Sequence, residues 1–348
     1  MIDWSTGETH VLLNPRLPAS ERSALENLVR RAPPLPAHLW LATSGTTGAL
    51  KMTALSKSAM LASAAGVNRH LEATSKDTWC CVLPSFHVGG LGIYARASLT
   101  RSKVIAFDWD PVRFARQPFT LSSLVPAQLG DLVSAALRPL PSVRAVILGG
   151  GAVPDVIYDA ARALGWPVLP SYGMTECCSQ IATATGESRV LRLLGHMRAR
   201  VAAGGRLAFA GPSLLTGYAT ADGLADPKRD GWFVSEDVGD VEGDTLRVRG
   251  RSADFVKIGG ESVDLQRLDA VLDSIRGDVD AAVIAVEDER LGSVIHLALA
   301  GDDAEKIVET FNERVLPFER IRAVHRVQEV PRSPLGKLLR QRLAAEIQ

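Results

Sequence analysis

An α/β fold is predicted for this 348-residue chain by three observations. Apolar runs of strand length alternate with helix-length runs between about residues 38 and 169, the rhythm of a largely parallel sheet with helical crossovers. From about residue 204 the pattern changes to short strands with tight turns, which predicts a small β-rich subdomain. After Arg251 a compact α+β unit follows. The boundary is expected at Gly250-Arg251-Ser252-Ala253-Asp254, dividing the chain into residues 1–251 and 252–348.

Taken in order, residues 21–31 predict a short helix, and Pro33-Pro34-Leu35-Pro36 a connector. Residues 38–42 read as a buried strand entering a Ser/Thr/Gly loop. Ser56 is placed to cap a helix that reaches about residue 71, and the Ser and Ala along it predict close packing. Strands are expected at 104–107, 143–148 and 166–169, and helices at 127–137 and 154–164, the latter with proline near its N-terminus. Short strands are expected at 206–209 and 245–248. In the C-terminal unit the helices are 265–275 and 304–315, and the strands lie near 282–286, 294–300 and 324–330.

Apolar residues make up 46% and charged residues 22%, as in ordinary globular proteins. Lys+Arg and Asp+Glu are both 39. This balance argues against a general nucleic-acid or anionic-membrane binder, although a local basic patch escapes a whole-chain sum. Cys80-Cys81 and Cys177-Cys178 are adjacent pairs without CxxC spacing, so buried, reduced thiols are expected rather than zinc. The first residues lack a basic segment followed by an apolar run, and no stretch approaches the length of a membrane span. A cytoplasmic location is therefore expected. No oligomeric state follows from the sequence.

The sharpest motif is Thr43-Ser44-Gly45-Thr46-Thr47-Gly48-Ala49-Leu50-Lys51. Backbone N–H groups and hydroxyls of such a loop can donate to phosphate oxygens, and the lysine supplies charge. It is not a Walker A loop, because Ala49 and Leu50 separate Gly48 from Lys51. Read alone, it is also compatible with a polar surface loop.

With the segments that follow it, this loop resembles the adenylate-forming superfamily of acyl-CoA synthetases, adenylation domains and luciferases. Six further segments match in the family's order. They are Pro84-Ser85-Phe86-His87-Val88-Gly89-Gly90, Gly149-Gly150-Gly151-Ala152, Ser171-Tyr172-Gly173-Met174-Thr175-Glu176, Gly231-Trp232-Phe233 with Asp237, Gly250 to Glu261, and Pro331-Arg332-Ser333-Pro334-Leu335-Gly336-Lys337.

The resemblance implies an enzyme that uses ATP and Mg²⁺ to form an acyl-adenylate and transfers the acyl group to a thiol, with coenzyme A as cosubstrate. Thr43 to Gly48 and Lys51 would hold phosphates, Gly149, Gly150 and Gly151 would face adenine, and Ser171, Tyr172 and Gly173 belong to a segment that would contact the adenylate, with Tyr172 against adenine. Thr175 would donate to the α-phosphate and Glu176 would coordinate Mg²⁺, a hard ion that usually takes one or two protein carboxylates. Asp237 would accept the ribose hydroxyls, with Arg251 assisting; Glu236 stands where the family more often has glycine. Lys337, read without the resemblance, is a surface lysine; within it, Lys337 swings in to bind the reacting carboxylate and α-phosphate. Ala253 occupies the hinge position where many relatives carry Asp or Lys, so a small mobile C-terminal domain is expected, with Gly259 and Gly260 approaching the pantetheine. His87, Gly89 and Gly90 would border the acyl group.

Within the superfamily the chain is most similar to o-succinylbenzoate–CoA ligases of menaquinone biosynthesis, through Phe86 to Leu91 with Arg96 downstream, Ser123 to Leu129, and Ser235-Glu236-Asp237. Arg96 is either a solvated helix arginine or the partner of the substrate's second carboxylate. Another acyl- or aryl-CoA ligase, a carrier-loading adenylation enzyme and a non-catalytic nucleotide-binding homologue stand as alternatives.

Overall fold

The structure is a computed structural model. It describes residues 2–44, 50–151, 153–251, 255–258, 261–288, 291–301, 304–333 and 338–347. The chain divides into two compact units. The first runs to Arg247, apart from Glu236–Val238, which group with the second; the second otherwise begins at Val248.

The first unit contains two sheets. In the larger, five strands lie parallel: Thr78–Cys81, Lys103–Ala106, Leu121–Leu124, Ala145–Leu148 and the first half of Val168–Met174. The second half of Val168–Met174 pairs antiparallel with Ser179–Thr185. From there the sheet continues through Ser188–Leu193, Thr245–Arg251, Phe233–Glu242, Arg206–Ala210 and Arg198–Val201, eleven strands in all. The β-rich stretch therefore extends this sheet and also contributes Gly217–Thr220 and Gly223–Ala225 to the second, five-stranded sheet, beside Leu50–Ser56.

Local chemistry accounts for the helix ends. Ser56 Oγ accepts from the Ala59 N–H at 3.0 Å and starts the helix Lys57–His70. That helix buries Ala59, Ser63, Ala64 and Gly66 and packs against the helix Val88–Thr100, the close approach that small residues predict. The helix Pro126–Ser134 stops short of residue 137. Ala136 turns left-handed with φ 48°, and the N–H groups of Ala136 and Leu137 bond back to Val133 and Leu132, a Schellman ending. Between the helices and the parallel strands, Phe114 stacks on Trp166 with ring centroids 5.7 Å apart, and the Trp166 indole N–H is satisfied by the Leu137 carbonyl at 2.8 Å.

The strand expected at 166–169 starts later and runs through Met174, because its second half finds a new partner in Ser179–Thr185. Ser171, Tyr172 and Gly173 consequently sit within a strand.

In the second unit, Asp280–Asp288 and Gly292–Ala300 form a hairpin, and Ile321–Arg326 adds in parallel. This last strand begins three residues before the expected position, where Ile321 enters the core beside Ile295. Leu265–Asp273 and Ala304–Arg314 cover one face through Leu268, Leu272, Ile307 and Phe311. Leu343 of the helix Arg340–Ile347 packs with Ala282, Ile284 and Ala298 in a separate cluster. Phe255–Ile258 and Glu261–Asp264 make a two-stranded ribbon. Among the described residues, no helix is long and apolar enough to cross a membrane.

Candidate active site

Thr43 and Lys51 face each other as antiparallel partners on His38–Ser44 and Leu50–Ser56. The Thr43 hydroxyl lies 3.2 Å from that of Thr53. Gly45, Thr46, Thr47 and Gly48 lie outside the described residues, as do Ala253, Gly259, Gly260 and Lys337. Lys51 is exposed, with its Nζ 5.6 Å from the centroid of the Tyr218 ring. Tyr218 reaches this place because Gly217–Thr220 pairs with Leu50–Ser56, Tyr218 opposite Thr53. Its hydroxyl donates to Glu176 Oε1 at 2.9 Å. Burial and the Glu176 carboxylate both push the Tyr218 pKa up, so the phenol stays a donor. The structure thus gathers Lys51, Tyr218 and Glu176. Tyr218 escaped the sequence reading; its trace is one aromatic beside Gly217 in a short strand.

The glycine run and the Ser171-Tyr172-Gly173 segment lie side by side because Ala145–Leu148 and Val168–Met174 are parallel neighbours, with Leu148 opposite Pro170. They sit at the C-terminal ends of parallel strands, the ends outside which α/β sheets bind ligands, and just beyond them the sheet changes to antiparallel pairing. Gly150 has φ 84°. Gly149 passes so close to Ser171 that a Cβ would lie 3.0 Å from its Oγ, and that hydroxyl donates to the Leu148 carbonyl at 3.1 Å. Gly151 is exposed beside Pro126. The half-buried Tyr172 ring has its centroid 5.8 Å from that of Phe209.

Gly173 is dictated sterically. A Cβ there would fall 1.8 Å from the Ser179 carbonyl oxygen. Between them, Thr175–Cys177 form a single 3₁₀ turn, and Cys178 and Ser179 carry φ of 55° and 101°. Non-glycine residues avoid such backbone angles unless the surroundings enforce them. This tight reversal presents Thr175 and Glu176, both half-buried. Asp237 is half-buried on Phe233–Glu242, and Arg251 ends the neighbouring strand Thr245–Arg251.

On the acid side, His87 occupies the N-cap position of Val88–Thr100, its ring 4.6 Å from that of Phe86. Burial lowers its pKa, favouring the neutral imidazole. Gly89 is half-buried, where a Cβ would touch the Leu83 side chain at 3.4 Å, and a Cβ on Gly90 would meet the Pro84 carbonyl oxygen at 2.3 Å. On the same helix Arg96 is only 2% exposed, which excludes a solvated helix arginine. Its Nη1 donates to Ser123 Oγ at 3.3 Å and its Nη2 to Gln180 Oε1 at 2.6 Å. Among the described residues its Nε has no hydrogen-bond partner, and the Trp79 ring lies 5.4 Å from the guanidinium carbon. Burial lowers Arg96 to about 10, so it remains cationic at neutral pH. Among the described residues no carboxylate pairs with it.

Glu176 fits Mg²⁺: it is a half-buried hard oxygen donor held in place by one hydrogen bond, and the ion readily fills its remaining positions with water and phosphate oxygens.

Residues 6–219 match the AMP-binding enzyme family. The 2-succinylbenzoate–CoA ligase of Bacillus licheniformis is 31% identical over 326 residues, which span 86% of this chain and 68% of that enzyme. The solved o-succinylbenzoate coenzyme A synthetase of Bacillus subtilis in complex with AMP is similar at a TM-score of 0.79 and 26% identity, over 88% of this chain and 68% of that one. The same enzyme in complex with ATP and magnesium ion gives a TM-score of 0.78 at 26% identity, over 88% and 69%. With its loop flanks, glycine run and glutamate placed as described, the chain belongs to the AMP-binding enzyme family.

Proposed function

We propose that this protein is an ATP-dependent, AMP-forming acid–CoA ligase that converts o-succinylbenzoate to its CoA thioester, the step that the resemblance assigns to menaquinone biosynthesis. A carboxylate oxygen of the acid attacks the α-phosphorus of ATP, and pyrophosphate leaves. The thiolate of CoA then attacks the acyl carbon of the adenylate, and AMP leaves. The transition state of the first step gathers negative charge, so positioning and electrostatics supply the catalysis. Magnesium, when bound, supplies charge on the phosphate oxygens. Lys51 and the backbone of the loop after Thr43 bind phosphate; Thr175 donates to the α-phosphate; Glu176, steadied by Tyr218, holds the metal. Gly149 to Gly151 and Ser171 to Gly173 frame the adenine, and Asp237 and Arg251 hold the ribose. Lys337 completes the adenylation site. Rotation of residues 252–348 about Ala253 replaces it with Gly259 and Gly260 for thioester formation.

The choice of acid is carried by Arg96. A buried cation that pairs with no carboxylate among the described residues is costly, and a substrate carboxylate offsets that cost. o-Succinylbenzoate has two carboxylates, of which only one is activated. A planar guanidinium suits the other, since its fork can bond both oxygens. Arg96→Leu is expected to reduce kcat/KM for the dicarboxylate by about 2 kcal/mol or more, the scale for losing one partner of a buried charged pair. Use of an analogue lacking the distal carboxylate should be spared or improved. Equal loss on both acids would make Arg96 structural, and no loss would place the distal carboxylate elsewhere.

A further inference from the structure

Gln180 lies on Ser179–Thr185, 4% exposed, and bridges two buried groups. Its Oε1 accepts from Arg96 Nη2 at 2.6 Å, and its Nε2 donates to the Thr183 hydroxyl at 2.7 Å. The first bond sets the orientation of the amide: a guanidinium only donates, so the carbonyl end must face Arg96, and the NH₂ end is left for Thr183, whose hydroxyl can accept. The other acceptor on the arginine side chain is the Ser123 hydroxyl. Gly92 lies close against the guanidinium: a Cβ there would stand 3.2 Å from Arg96 Nη2 and crowd it. Both acceptors that hold the guanidinium are therefore neutral, and its fork carries more N–H groups than these two bonds use.

A charged acceptor at the same position would hold the arginine at least as firmly, because charge-assisted hydrogen bonds are the stronger kind. It would also cancel the charge inside the protein. The neutral amide orients Arg96 and leaves its charge for an anion. From this geometry we propose that Gln180 is a specificity-determining positioning residue: it anchors Arg96 without neutralising it, so the second carboxylate of the acid becomes the counter-ion. This inference rests on the assignment of Arg96 to that carboxylate.

The test measures kcat and KM with o-succinylbenzoate and with an analogue lacking the distal carboxylate, in wild type, Gln180→Glu, Gln180→Met, Arg96→Leu and the Gln180→Glu/Arg96→Leu double variant. Gln180→Glu should lower kcat/KM for the dicarboxylate about 30-fold or more, mainly through KM, the scale on which a binding charge pair is lost. The loss on the analogue should stay within about threefold, since the analogue brings no second charge to be met. Gln180→Met, uncharged and of similar length, should raise KM for the dicarboxylate about tenfold with kcat retained, the loss expected for one hydrogen bond to a charged group. It serves in place of the acid if Gln180→Glu does not fold. In the Arg96→Leu background, Gln180→Glu should no longer change the ratio between the two acids, because the two residues act as one unit. Equal losses on both acids, or a ratio unchanged by Gln180→Glu and Gln180→Met while Arg96→Leu still changes it, would overturn the role of Gln180 alone. A ratio unchanged by Arg96→Leu would overturn the Arg96 assignment and this inference with it.

Discussion

The Tyr218 hydroxyl donates to Glu176 Oε1 at 2.9 Å, and the Lys51 ammonium lies 5.6 Å from the same tyrosine ring. One side chain thus links the flank of the phosphate loop to the carboxylate assigned to Mg²⁺. Tyr218→Phe keeps the ring and removes the bond. A hydrogen bond to a charged group contributes about 1.5–3 kcal/mol, so pyrophosphate release should slow about 10- to 100-fold, with a higher Mg²⁺ requirement. The thermal unfolding midpoint should fall by a few degrees, since the same bond also stabilises the fold. A wild-type rate across a magnesium titration would show that Glu176 is held by other means.

Gly173→Ala should be severe for a different reason. The added Cβ would lie 1.8 Å from a backbone oxygen of Ser179, and backbone cannot move aside as a side chain can. The reversal that presents Thr175 and Glu176 must shift. Displacing reacting groups by about 1 Å can cost about 100-fold in rate, and adenylate formation should fall on that scale. A variant that folds and adenylates normally would show that the reversal tolerates the shift.

Lys337→Ala and Ala253→Pro should separate the two half-reactions in opposite senses. Without Lys337, adenylate formation should fall by orders of magnitude, because charge stabilisation is lost only there. Supplied acyl-adenylate and CoA should still give thioester. Proline at residue 253 fixes φ near about −65° and restricts rotation, so adenylation should survive while thioester formation falls. The measurements are pyrophosphate release and thioester yield from supplied adenylate. Parallel losses in both assays would contradict these roles.

His196 makes stability depend on pH. It is buried against Gly66, where a Cβ would come within 2.0 Å of its Nδ1. Burial, then the nearby Arg69 charge, hold its pKa down to about 4. The unfolded chain takes up this proton below about pH 6.5 while the fold resists it, so the contribution is complete above that value and is lost as pH falls toward 4. Each unit of the difference is worth about 1.4 kcal/mol. His196→Gln should flatten the fall in urea midpoint between about pH 7 and about pH 5. His87 and His296, also held low by burial, are common to both proteins and cancel in the comparison. Equal slopes for wild type and variant would remove His196 from this role.

Local signals carried much of the fold. Ser56 announced its helix, and the alternation of short apolar runs with helices predicted the parallel strands that align the glycine run with Ser171 to Gly173. Pairing was not legible, because period and propensity set an element without naming its partner. Nothing in Gly217-Tyr218 says that it joins Leu50–Ser56, so Tyr218 was missed beside Glu176. Nothing in the spacing places Gln180 against Arg96, 84 residues apart. The burial of Arg96 was equally hidden: an arginine among apolar residues of one helix reads alike whether it faces solvent or is buried against Ser123 and Gln180. The motifs themselves were visible as residue strings, and the structure supplied their neighbours.

The purified protein, incubated with o-succinylbenzoate, ATP, Mg²⁺ and CoA and resolved by mass, should yield o-succinylbenzoyl-CoA and AMP in equal amounts, with pyrophosphate. No thioester should form when ATP or CoA is left out. Thioester from other acids but none from o-succinylbenzoate, or ADP in place of AMP, would contradict the proposed function.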